Sequence, residues 1–347
     1  MNLSFFQQPL LFFIFEFIGF FSFALILIRE FYQKNTLRIL EIIGCAIFGL
    51  ILEIGNTYLA HTYYYSDLFL IKIFDVPLAI GLGWAVIIYC AMLLSDQYDI
   101  PWQIRPFLDS LTAILLDLSM DIVAIRIGFW HWAIPLNQEW YGVPFENLAG
   151  WIFVVLSFSF LVRFLRTVNP KRILTKIIII LMPLIAYGGL LLSLIFFSLI
   201  VILPYQVNNW TTLLSFNYQP DFKILFNSEV QLWKIIIFVF LLVELLNIVF
   251  FSIIKYRKSC FKKFDIVSFS ILSGLHLFFF ASIFITGIFE QYPFFILISG
   301  LVFLIHCFLH LLPYLSKPNI IYAFQKTQDS LKENQKIISQ AIAKSLK

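Results

Sequence analysis

The sequence predicts an all-α, polytopic transmembrane helical bundle of about nine spans, with its N-terminus outside and its C-terminus inside. Three observations carry that reading. Only 13% of the 347 residues are charged and 61% are hydrophobic, with a mean hydropathy of +0.91; soluble domains carry about 25% charged residues. Apolar runs of about 18 residues or more recur along the chain, each long enough to cross a bilayer as a helix. The basic residues, finally, alternate with those runs so that nearly all fall on one side.

Taken in order, the spans are 9–28, 37–56, 76–95, 106–126, 148–167, 177–203, 232–254, 265–288 and 292–315. With the N-terminus outward, the inward segments are 29–38, 96–105, 163–176, 255–264 and the tail. They then hold all but four of the 24 basic residues; the exceptions are Lys72, Arg126, Lys223 and Lys234. This is the asymmetry of the positive-inside rule, and merging or splitting one span would scramble it. Residues 1–8 lack the basic stretch of a cleavable signal peptide, so the first apolar segment is expected to stay as an anchor. The compartment that fits is a bacterial inner membrane.

The chain divides at the basic cluster Arg163–Lys176, which contains Pro170. Residues 1–170 hold spans 1–5 and most of the intramembrane acids. Residues 171–315 hold spans 6–9, where Glu244 is the acid well inside a span. Residues 316–347 form a polar cytoplasmic tail, whose Ile337, Ile338, Ala341 and Leu346 would suit an amphipathic helix on anionic lipid. The 42 phenylalanines read mainly as lipid-facing bulk. Cys45, Cys90 and Cys307 fall in apolar helices and Cys260 in a basic loop, with no disulfide or metal spacing.

Carboxylates in hydrocarbon are costly unless they pair or protonate, so they mark candidate sites. Asp117 and Asp121 lie one turn apart on one face of span 4. Two such groups in low dielectric cannot both ionise comfortably, which leaves a protonated acid available as a general acid. Glu53 at the end of span 2, Asp75 at the mouth of span 3, and Glu146 with Asn147 entering span 5 gather on the same side. The plainer reading is that these acids bond to Arg126, Tyr63, Tyr65 or backbone and fix helix packing. Arg126, five residues beyond Asp121, is left to anchor at the interface or to reach Glu146. Trp130, Trp132, Trp140 and Tyr141, like Tyr63–Tyr65, suit either an interfacial aromatic belt or a stacking lip for a flat apolar substrate.

These residues in this order resemble the carotenoid biosynthesis membrane-protein family, which includes carotenoid hydratases of the 1,2- and bisanhydrobacterioruberin type. The resemblance covers about residues 40–170. It rests on Glu53-Ile-Gly55, Tyr63–Tyr65, Val76-Pro77 with Trp84, and Asp117 and Asp121 followed by Gly128-Phe-Trp130-His-Trp132. Tyr141-Gly-Val-Pro144 and Asn147-Leu-Ala-Gly150-Trp151 complete it. The chain departs from the family at Ile122, where proline is usual after the second aspartate. It departs again at Asn56-Thr57 and His61, where a second glycine is usual.

The resemblance implies acid-catalysed hydration of a terminal carbon–carbon double bond of an acyclic or monocyclic carotenoid, with no cofactor. Asp121 or Asp117 would be the acid and its partner the ion stabiliser, with Glu53 or Glu146 positioning water. Tyr63, Tyr65, Asp75, Trp84, Trp130, Trp132, Tyr141, Glu146, Asn147 and Trp151 would bind substrate. The partners implied are a hydrophobic polyene drawn from the bilayer and membrane lipids, not nucleic acid.

Two other classes compete. Span 9 carries His306 and His310 at HxxxH spacing and span 8 carries His276, but five histidines in all are few for a membrane di-iron oxygenase. The simpler reading is two histidines bonding across helices. Lycopene-cyclase-like proteins also use intramembrane acids, but their paired-acid, proline-rich signature is missing. A transporter or polyene-binding scaffold would use the same acids as proton relays, with Glu244 and Asn247 as its feature in span 7. No paired hydropathy repeat supports it.

Overall fold

The structure is a computed structural model and describes residues 7–132, 134–168, 173–206, 232–256 and 264–315. The polar tail, Cys260, Lys171, Arg172, Lys223 and the basic residues at 257–263 lie outside the described residues. Nine long helices fall within them: α1 (Gln7–Tyr32), α2 (Thr36–Ile54), α3 (Leu78–Ser95), α4 (Arg105–Ile127) and α5 (Phe145–Thr167) come first. They are followed by α6 (Ile173–Gln206), α7 (Leu232–Lys255), α8 (Ile266–Ile285), a single turn α9 (Ile288–Gln291) and α10 (Pro293–Leu315).

Each expected span coincides with one long helix. Seven of these are long and apolar enough to cross a membrane, and the protein is an integral membrane protein. The other two, α2 and α4, are set apart by charge. Arg38, Glu41 and Glu53 stand in α2, and Arg105, Asp109, Asp117, Asp121 and Arg126 in α4. The count of nine spans and their orientation therefore rest on the sequence pattern alone.

Local chemistry explains where the helices begin and end. Asn35 caps α2 by accepting from the Arg38 amide at 3.3 Å, and Asp265 caps α8 by accepting from Ser268 at 2.9 Å. Pro77 and Pro144 hold extended backbone just before α3 and α5, and Pro106 sits in the first turn of α4, where its missing N–H costs nothing. Gly128 ends α4 at φ +89°, a left-handed conformation that other residues adopt only under strain.

The fold is not purely helical. Gly128 turns the chain into β4 (Trp130–Trp132), which pairs antiparallel with β1 (Tyr63–Tyr65) in the register Tyr63↔Trp132, Tyr64↔His131, Tyr65↔Trp130. A second ribbon, β2 (Lys72–Ile73) with β3 (Val76–Pro77), leads into α3. Aromatic runs favour extended pairing, which helical periodicity does not reveal. β1 is reached from α2 through a π-helical turn, Gly55–Ala60, that closes at His61 with φ +49°.

α3 and α4 form the centre. α2 packs along α3, α4 along α3 and α5, and α6 covers α2 and α5; α7, α8 and α10 lie against α4. The helices of 171–315 thus share buried surface with those of 1–170. Gly49 lets α2 approach closely, since a Cβ there would stand 2.7 Å from that of Trp84.

At the end of the bundle where α3 stops and α4 begins, buried charges are tied together. Asp96 accepts from Arg163 at 2.7 Å, Arg105 at 2.9 Å, Arg38 at 3.1 Å and Arg166 at 3.3 Å. Burial alone would raise the Asp96 carboxyl, but Arg163, Arg166 and Arg38 outweigh it and hold the group well below the usual carboxylate range. Asp109, fully buried, accepts from Arg163 at 3.0 Å, Ser159 at 2.5 Å and Ser95. Glu41 takes the second face of Arg166 at 2.6 Å.

Candidate functional site

The opposite end of the same helices encloses a mostly apolar cavity of about 460 Å³. Its wall carries three carboxyl groups and an amide from three helices, Glu53 from the last turn of α2, Asp121 from α4, and Glu146 and Asn147 from the first turn of α5, besides Ser22, Asn56 and Thr62. The β1–β4 ribbon supplies a further wall. Alternation along paired strands sends Tyr63, Tyr65, Trp130 and Trp132 to the cavity face, while Tyr64 and His131 stack on the other face with ring centroids 4.9 Å apart. Trp84 and Trp151 complete the aromatic lining, their centroids 4.2 Å apart.

The acids differ in how they are held. Glu53 accepts from the Trp84 indole at 2.6 Å, the Tyr65 hydroxyl at 2.6 Å and the Tyr63 hydroxyl. Three donors compensate a buried carboxylate without any cation. Asp121 accepts from the Asn147 amide at 2.6 Å, and Asp117 stands one turn before it on α4. Asp117 is 0% exposed and meets no donor among the described residues. Two buried carboxyl groups one helical turn apart cannot both ionise without cost.

Ten residues expected at the site therefore line one cavity: Glu53, Tyr63, Tyr65, Trp84, Asp121, Trp130, Trp132, Glu146, Asn147 and Trp151. Asp117 stands behind Asp121, off the wall. Asp75 and Tyr141 are not brought to the cavity. Asp75 accepts from the exposed Tyr58 hydroxyl at 2.7 Å, and Tyr141 packs on Trp140 and Tyr292. Arg126 does not reach Glu146. It donates to the carbonyls of Tyr141 and Leu136 at 2.9 and 3.1 Å and lies over the Tyr292 ring, pinning the loop that follows β4. The partner of Glu146 is instead Lys234 of α7, at 2.5 Å.

The sequence model of the family described as "Carotenoid biosynthesis protein" matches residues 11–214, more than half of the chain. The chain belongs to that family. Bisanhydrobacterioruberin hydratase of Haloarcula japonica is 43% identical over 53 residues, which is 14% of this chain and 17% of that protein. The aligned stretch is thus under a fifth of the relative's own length. No solved structure matches the chain.

The family match extends beyond the 40–170 expected from motifs, taking in most of α1 and all of α6. Both helices line the cavity, through Phe15 and Gly19 and through Leu190 and Leu194. Outside the match, α8 contributes Leu275 to the wall and α7 contributes Lys234 behind it. The motif reading missed these because a lone apolar residue, or one lysine near a helix start, carries no pattern. The Asp96–Asp109–Arg163 network also went unread, since its members meet only across three helices.

The histidines do not bond as expected. His276, His306 and His310 are buried with successive ring centroids 4.8 and 4.6 Å apart, yet the ring nitrogens of His306 and His310 have no hydrogen-bond partner among the described residues. No group of three His, Cys, Asp or Glu among those residues is arranged to hold a metal ion. Glu244, the feature of the transport reading, is exposed on α7. Cys45 and Cys90 are buried free thiols.

Proposed function

We propose that this protein hydrates a terminal carbon–carbon double bond of a carotenoid drawn laterally from the bilayer. The observation that carries the reading is Asp121: a carboxyl on the wall of an apolar, aromatic-lined cavity, backed by a second carboxyl, Asp117, that has no hydrogen-bond partner among the described residues. The cavity volume is in the range of small-molecule pockets, so it suits the end of a long chain rather than all of it.

The chemistry follows from the residues. The Asp121 carboxyl gives its proton to the less substituted alkene carbon; the π electrons form the new C–H bond and leave a tertiary cation. Glu53, held in place by Trp84, Tyr65 and Tyr63, and the faces of the surrounding rings stabilise that cation. Water adds to the cation and loses a proton, giving a tertiary alcohol. The proton returns to the Asp117–Asp121 pair, so the cycle is redox-neutral and closes on itself. With the N-terminus outward, the cavity lies in the outer half of what is expected to be a bacterial inner membrane.

The test is co-expression in a bacterium that accumulates lycopene or γ-carotene, with pigments analysed by mass spectrometry. A product heavier by one water, made by the wild type and not by Asp121→Asn, supports the reading. The same conversion in detergent, with no gradient across any membrane, separates it from transport. A well-inserted wild type that binds these polyenes and returns them unchanged counts against it.

A further inference from the structure

We infer that Lys234, on α7 and outside the family-matched region, is a positioning residue that sets Glu146 as the base for the attacking water. The inference rests on the hydration reading above. Lys234 enters the bundle one turn into α7 and is buried, with a side chain only 2% exposed. Its ammonium stands 2.5 Å from Glu146 Oε1 and 3.2 Å from Glu139 Oε1. A buried ammonium without anions would be costly, and here two carboxylates surround it.

The two carboxylates are not equivalent. Glu139 is 1% exposed, and its other oxygen accepts from the Phe145 amide at 2.8 Å, tying the loop to the first turn of α5. That oxygen pair is committed to structure. Glu146 is on the cavity wall, one residue from Asn147, which in turn holds Asp121 at 2.6 Å. The proton donor and the Lys234-anchored carboxylate therefore share the first turn of α5 as their frame.

Their settings suit opposite tasks. Asp121 has a second carboxyl one turn away on α4, whereas Glu146 has an ammonium at 2.5 Å. Glu53, with three donors on its two oxygens, has less capacity left to accept from water. In the hydration step, water oxygen bonds to the tertiary cation as one of its O–H bonds breaks, and that proton passes to Glu146. A water in the cavity then carries it to the Asp117–Asp121 pair, restoring both groups. Lys234 acts through Glu146 and touches neither substrate nor water.

The experiment measures hydration by Lys234→Met, Lys234→Arg, Glu146→Gln and the Glu146→Gln/Lys234→Met double variant in detergent-solubilised full-length protein. Thermal unfolding is followed in parallel. General-base assistance contributes about 10²–10⁴-fold, so Lys234→Met should lose roughly tenfold to a hundredfold in kcat with KM little changed. Lys234→Arg should recover much of that loss. The double variant should be no slower than Glu146→Gln alone, because the lysine acts through the glutamate. A purely structural lysine would instead lower unfolding temperature while leaving kcat per folded molecule intact.

An active wild type with Lys234→Met within twofold of it overturns this role and leaves the hydration reading standing. Losses that multiply in the double variant also overturn it, by showing that Lys234 acts elsewhere. A wild type that binds the polyene but never hydrates it overturns the hydration reading, and this role with it.

Discussion

The two ends of the α3–α4–α5 core use buried carboxyl groups in opposite ways. At one end Asp96 and Asp109 are surrounded by Arg38, Arg105, Arg163 and Arg166, with Ser95 and Ser159 filling the remaining positions. At the other end Asp117 and Asp121 have each other and an amide, and Glu53 has hydroxyls and an indole. Asp109 at one end and Asp117 at the other are both 0% exposed, so burial alone does not separate structure from chemistry. What separates them is the counter-charge, together with the apolar cavity onto which the second end opens. Guanidinium groups occupy the acids of the first end, whereas Asp117 has no hydrogen-bond partner among the described residues.

The comparison can be broken most directly at Asp121. Asp121→Asn keeps the shape and removes the proton, and should abolish hydration by at least about 10²-fold, with membrane insertion and folding intact. Asp117→Asn should act in the same direction. Full activity in both variants would sink the acid role for this end of the core.

The next effect belongs to the other end. Arg163→Met leaves Asp109 buried without its main cation, and should destabilise by about 3–5 kcal/mol while hydration per folded molecule survives. Denaturant or thermal unfolding in detergent reads the first, and turnover normalised to folded protein the second. The pH dependence has a definite sign. Asp96 has a depressed value in the folded state, so its contribution is present above the unfolded carboxyl value of about 4 and is lost as pH falls through the folded value. Removing Arg163 brings those two values together, and acid unfolding should then start at a higher pH than in the wild type.

Smaller effects sharpen the site itself. Tyr65→Phe and Tyr63→Phe each remove one donor from Glu53, a charge-assisted bond worth about 1.5–3 kcal/mol. Each should slow turnover by roughly an order of magnitude, less than Asp121→Asn. The smallest expected effect is Asp75→Asn, which alters an exposed contact with Tyr58 and should shift stability by no more than about 0.5 kcal/mol, with turnover unchanged. A large loss at Asp75 would mean that the site reaches beyond the cavity described.

The helices were legible because hydropathy is a one-dimensional signal: an apolar run of sufficient length reads the same wherever it packs. The acids Glu53, Asp117, Asp121 and Glu146 were legible for a related reason, as costly residues in an apolar setting. Partners were not. Arg126 and Lys234 both stood on the side poor in basic residues, and sequence spacing suggested Arg126 for Glu146. The Gly128 turn instead directs the arginine to loop carbonyls, and α7 brings the lysine in from about ninety positions away. A count of unpaired acids against the few cations on that side would have drawn attention to Lys234. The β1–β4 ribbon hid for a different reason: its three-residue strands are too short for alternation to stand out among so many aromatics.

That ribbon gives the cavity a rule of parity. Because Tyr63, Tyr65, Trp130 and Trp132 occupy every second position and Tyr64 and His131 the positions between, shifting either strand by one residue exchanges its inner and outer faces. A single-residue deletion before Tyr63 that slid β1 along its partner would take both hydroxyls from Glu53 and present Tyr64 in their place. A two-residue change would keep the same faces turned inward. Length variation in the loop before β1 is therefore expected to be tolerated in even steps and not in odd ones.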